Sequence, residues 1–131
     1  MEKILLWKDK EKKAIDPKLF SQVADQLAAG FASEGGTKKN RRSQIRKFYD
    51  EVVRLNSLAH ERPQQWNAIE PQVHMLTAKA AYAEGRQLVT PSFTEFIKNS
   101  VAQIKDRDDL RLFSNLFEAF MGFFQLYQKA R

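Results

Sequence analysis

Clustered cations are the side chains in this chain best placed to do chemistry, and the chemistry they suit is holding an anion. The run Lys38-Lys39-Asn40-Arg41-Arg42-Ser43-Gln44-Ile45-Arg46-Lys47-Phe48-Tyr49 passes from a basic loop into an amphipathic helix without a break. Asn40 and Ser43 are both suitable N-caps. Ile45, Phe48, Tyr49, Val52, Val53 and Leu55 follow at helical spacing. Arg41, Arg42, Arg46 and Lys47 therefore sit at the start of a helix whose other face is buried. The positive end of a helix dipole favours acids in its first turn. Cations concentrated there mark either an anion site or, as for most charge runs, a solvated basic face. Lys79 and Arg86 are seven residues apart on a later helix, so they share a face, about two turns apart. They lie off the Val73, Leu76, Ala80 stripe. Together the two groups make a patch spanning two helices, able to track the phosphates of a nucleic-acid strand. Such a patch reads backbone, since nothing marks a helix built for base edges. Tyr49 and Tyr82 have rings able to stack on bases, but their spacing places both in apolar stripes and reads as core.

Other chemistries find no support. Residues 30–37 read Gly-x-x-x-x-Gly-Gly-Thr, which lacks the lysine of a phosphate-binding loop and follows a helix rather than a strand. These glycines read as a helix stop and a flexible loop. His60 and His74 do not have the spacing of a helical metal pair. Asp106, Asp108 and Asp109 lack the glycine and terminal glutamate of a calcium loop and suit helix capping. Glu118 and Asp50 form no acid–base couple, and no serine has a nucleophile's context. No catalytic residue, metal site or cofactor is expected.

The chain has 131 residues, enough for one domain with a real core. Its net charge of +6 is regional: residues 1–47 hold twelve Lys/Arg against six Asp/Glu, and residues 48–131 hold ten of each. There is no cysteine, which excludes disulfides and thiolate chemistry and fits a cytoplasmic protein. Residues 1–13 are too charged for a signal peptide, and no apolar run approaches the roughly 20 residues of a membrane span.

The elements that must position the cations are all helical. Residues 1–15 read as a basic tail that either docks through Trp7, on the domain or a neighbour, or frays. Residues 16–131 read as a single helical domain. Asp16-Pro17 starts a first helix, stopped by Gly30 and then by Gly35-Gly36. The second runs from Arg41 or Ser43 to about His60. Glu70-Pro71 opens a third that ends at Gly85, after a loop or short turn anchored by Trp66 and Ile69. Thr90-Pro91 or Ser92 begins a fourth, and the acids at 106–109 begin a fifth. This last helix carries five of the ten phenylalanines and is apolar over much of its circumference. It should be central, or partly given to another chain. The expected fold is an all-α, compact bundle of about five helices with a basic N-terminal tail.

Three motifs then resemble a known family. Ser43-Gln44-Ile45-Arg46-Lys47-Phe48-Tyr49 resembles the signature of the small subunit of type III-A CRISPR effector (Csm) complexes. Lys79-Ala80-Ala81-Tyr82-Ala83-Glu84-Gly85-Arg86 is similar to that family's second block. Residues 117–129, with Phe120, Phe123, Phe124 and Tyr127, are similar to its aromatic C-terminal helix, although the family carries a small residue where Leu126 stands. The resemblance implies a non-catalytic, all-helical subunit present in several copies. It implies self-association, contacts with the other subunits of the complex, and contact with the backbone of the guide RNA–target RNA duplex, or with single-stranded nucleic acid. Carried over by position, the matched cations are Arg46, Lys47, Lys79 and Arg86. Arg41 and Arg42 come from the charge argument alone, and Lys38 and Lys39 are either contacts or a tether. The alternative is a helical protein–protein adaptor or oligomerisation module that binds no nucleic acid and uses its aromatic last helix as the interface.

Overall fold

The computed structural model describes residues 3–129. Among these residues there are five α-helices: α1 (Ala24–Gly35), α2 (Arg42–Glu61), α3 (Trp66–Gly85), α4 (Pro91–Ala102) and α5 (Arg107–Lys129). The described residues form no strand, only an isolated bridge between Asp9 and Ala14. None of their helices is long and apolar enough to cross a membrane.

The first helical segment starts later than Asp16-Pro17: Lys18 is its N-cap and Leu19 its first residue, while the Asp16 carboxylate accepts the Lys18 N–H at 3.0 Å and the Asp16 carbonyl accepts the Leu19 N–H at 2.9 Å. The segment then opens as a wide π-turn, Leu19–Val23, in which the Val23 N–H reaches the Lys18 carbonyl at 3.0 Å. Gly30 does not stop the helix, which runs on to Gly35. Two glycines are needed at that end for different reasons. A Cβ on Gly35 would lie 2.9 Å from the Asn40 Cβ, so the returning chain packs directly on the glycine. Gly36 has φ +58°, a conformation that other L residues adopt at a cost. The loop is tight here rather than loose. The third helix also departs from expectation: a 3₁₀ turn, Pro63–Gln65, feeds straight into it at Trp66, and Pro71 lies inside. The missing N–H leaves the Asn67 carbonyl without its intrahelical donor. Both residues are exposed, so this gap in the helix ladder lies on the solvent side.

The core is aromatic. Phe113, Leu116, Phe117, Phe120 and Phe124 of α5 are fully buried. Phe120 meets Phe31 of α1 with ring centroids 5.7 Å apart, Phe96 of α4 lies 5.9 Å from Phe113, and Tyr49 of α2 lies 5.7 Å from Phe117. Each fully buried ring contributes roughly 1.5–3 kcal/mol, more where edges meet faces. The Tyr127 hydroxyl donates to Asp25, tying α5 again to α1. The wide apolar face of α5 is thus spent inward. Leu126 alone of its large apolar side chains is well exposed.

The N-terminal segment is docked. Leu6 is buried, its N–H donating to Gln103 Oε1 at 2.8 Å, while Gln103 Nε2 donates to the Ile4 carbonyl at 2.7 Å. Trp7 Nε1 donates to Asp109 Oδ1 at 2.7 Å, and Lys10 Nζ lies 2.8 Å from Asp109 Oδ2. Asp109 also closes a reciprocal cap on α5. It accepts the N–H groups of Lys105 and Asp106, while Asp106 Oδ1 accepts the Asp109 N–H at 2.9 Å. Burial pushes the Asp109 carboxyl up, but the bonds from Lys10, the Lys105 amide and Trp7 outweigh it and hold the group below the usual carboxylate range.

Candidate nucleic-acid interface

Asn40 sets where α2 begins. It is fully buried with φ +53°, and is not the N-cap, a position that Arg41 takes. Its amide nitrogen donates to the Phe31 carbonyl at 3.0 Å and to Thr90 Oγ1 at 2.9 Å. Its amide oxygen accepts the Thr90 N–H at 2.9 Å, and its own N–H donates to the Leu88 carbonyl at 3.0 Å. One side chain thereby joins the end of α1, the start of α2 and the α3–α4 connection. This fixes the N-terminal half of α2 beside the C-terminal half of α3. The two helices run antiparallel, as the Arg54–Gln72 and Glu51–Lys79 contacts require.

Between them lies a groove of about 350 Å³. Phe48, Leu76, Ala83 and Leu88 give it an apolar floor. Lys47 comes from α2, Lys79 from α3, and Arg86 from the turn just past it; all three line the groove and are exposed. Gln44 and Glu51 complete the α2 wall, one turn either side of Lys47 and Phe48. Glu51 accepts both branches of the Arg54 guanidinium at 2.8 and 2.9 Å and lies 3.5 Å from Lys79 Nζ. The Arg54 bonds, against the effect of burial and with help from Lys79, hold the Glu51 carboxyl below its ordinary range, so it is an anion at neutral pH. The groove keeps three cations against one carboxylate.

Tyr82 also lines the groove and is 67% exposed, contrary to its expected place in the core. The reason is phase. At about 100° per residue, Tyr82 falls on the Lys79–Arg86 side of α3, far from the Val73, Leu76, Ala80, Ala83 stripe. The Arg86 guanidinium sits over its ring, 5.8 Å from the centroid. Spacing alone carried this signal, because positions 79, 82 and 86 are neighbours on one face. Tyr49 does face the core, and its phenol is pushed up by burial and then by the nearby Glu118 and Asp50 carboxylates.

The remaining candidate cations lie elsewhere. Arg46 pairs with Asp50 at 3.8 Å on the flank next to Tyr49, and Arg42 is one turn before it on the same flank. Arg41 turns back, its Nε donating to the Thr37 carbonyl at 3.1 Å. Lys39 is half-buried with its N–H on the Gly35 carbonyl, and Lys38 is exposed. The structure thus brings Lys47, Lys79 and Arg86 together and separates them from Arg42 and Arg46.

The family model Csm2 Type III-A matches residues 15–130, a span that takes in all five helices, Asn40 and the groove. The chain belongs to the Csm2 family. It is accordingly a subunit of type III-A CRISPR complexes, the family that its three motifs resemble. No curated protein and no solved structure matches the chain. The Csm2 match covers each of the three motifs, from Ser43 to the aromatic face of α5.

Proposed function

We propose that this Csm2-family chain is a non-catalytic structural subunit that binds the guide RNA–target RNA duplex of the complex by its backbone, without sequence specificity, while packing against copies of itself and neighbouring subunits. The observation that carries the reading is the groove between α2 and α3, where Lys47, Lys79 and Arg86 meet from two elements. Two helices and the turn that follows α3 present them along one groove, which suits a row of phosphates. Arg42 and Arg46, on the neighbouring flank, extend the basic surface toward a second strand. Of the three groove cations, Lys47 belongs to residues 1–47, which hold the whole charge excess, and Lys79 and Arg86 are isolated cations of the balanced remainder.

The test is a titration of the full chain, alone and assembled with its partner subunits, against labelled RNA across a salt series. Scrambled sequences should bind alike, and affinity should fall as salt rises. Lys79→Gln and Arg86→Gln should each weaken binding and reduce the salt slope by about one. A sharp sequence preference that is insensitive to salt would sink the proposal.

A further inference from the structure

A backbone contact uses the rim of the α2–α3 groove but leaves its floor unexplained. That floor is apolar, built from Phe48, Leu76, Ala83 and Leu88, and Tyr82 stands at its side with most of its ring in solvent. We propose that the groove seats one unpaired base of a bound RNA strand, stacked on the Tyr82–Arg86 platform, with Lys47 and Lys79 on the flanking phosphates. This rests on the nucleic-acid reading of the groove and adds what the ligand must be there: a nucleotide out of its helix.

Three features argue for a base. The first is size. At about 350 Å³ the space is near the lower end of small-ligand pockets, about 300–1,000 Å³, which suits one planar ring system and not a duplex. The second is the platform. An exposed tyrosine with a guanidinium over its ring offers π faces to any base, and cations around it supply the phosphate contacts that single-strand binding also needs. The third is the Glu51 carboxylate. Its charge is matched by Arg54 and Lys79, and its oxygens keep lone pairs that can accept from the N–H donors on a base edge. The groove therefore favours an occupant with its edge turned inward and its phosphates at the rim.

The experiment uses RNA carrying one 2-aminopurine, whose fluorescence falls on stacking. It is placed in a single strand, as one unpaired nucleotide within a duplex, or fully paired. Titrated with the full chain, the first two should be quenched and the paired probe should not. Tyr82→Leu should abolish the quench and weaken single-strand binding roughly 5- to 100-fold. Its salt slope should match that of the unaltered chain. Tyr82→Phe and Tyr82→Trp should keep the quench. The side chain is exposed, so unchanged circular dichroism and Tm serve as the folding control. A quench that survives in Tyr82→Leu overturns the inference. So does a Tyr82→Leu variant of full affinity beside a weakened Lys79→Gln, which would leave the phosphate reading standing. Salt-dependent binding absent from the unaltered chain, alone and assembled, would remove both.

Discussion

A buried asparagine in a left-handed conformation persists only where its amide is fully used. Asn40 meets that condition through Phe31, Thr90 and Leu88, and it packs on a glycine because only Gly35 leaves room. Asn40→Ala should destabilise the chain by roughly 2–4 kcal/mol in urea titration, since each buried partner left unpaired costs about 1–3 kcal/mol. Asn40→Gly, free of the conformational penalty, should be the more stable of the two variants. A loss under about 0.5 kcal/mol for Asn40→Ala would contradict this role. The sequence announced Asn40 only as a capping residue, because capping depends on neighbours in the chain whereas its actual partners lie up to fifty residues away. The cations were legible individually. Which of them share a groove was not, because that depends on the rotation of α2 against α3. Tyr82 was legible in principle and was hidden only by assigning it to the wrong face.

Helix boundaries followed their local signals where side chain and backbone agreed. Asp106 and Asp109 cap α5 as acids at its start should, and Pro91 opens α4. They departed where packing overrode propensity, as at Pro71 inside α3 and Gly30 inside α1. The docking of the N-terminal segment depends on ionisation of Asp109. Its carboxyl is held low when folded, so the stability it contributes is present above the unfolded value of about 3.9 and lost as pH falls through the folded one. Lys10 is held above its usual value by its bond to Asp109, so its share is full below about 10.4 and lost as pH rises through the folded value. The anchor should hold between these limits and fail first in acid. In a Trp66→Phe background, Trp7 emission should shift to the red below about pH 4 while helical circular dichroism persists. Trp7 emission that changes only when the helices melt would argue that the segment has no separate equilibrium.

The all-helical architecture was readable from periodicity because every helix but α3 has a clear apolar face and a marked start. The inward role of α5 was only half readable, since a broad apolar face is equally suited to a core and to a partner. The structure spends it on the core. Phe120, which touches Phe31, Phe96, Phe117 and Phe124, should be among the costliest positions to truncate. Phe120→Ala is expected to lose about 3–5 kcal/mol by urea or thermal unfolding, whereas Leu126→Ala, on the exposed side, should be nearly neutral. Comparable losses at the two positions would show that α5 is not the centre of the bundle.

This centrality also sets an order of events during synthesis. The α2–α3 pair is local and can form early. The first helix, however, leans on α5, and Trp7 and Lys10 wait for Asp109, about a hundred residues downstream. Until α5 leaves the ribosome, Phe31 and Phe96 lack the cover that Phe113, Phe117 and Phe120 give them. Loop closure over such distances is slow relative to helix formation. A nascent chain paused before Arg107 should therefore present a sticky half-core to chaperones, and completing the last helix should both finish the fold and end that exposure.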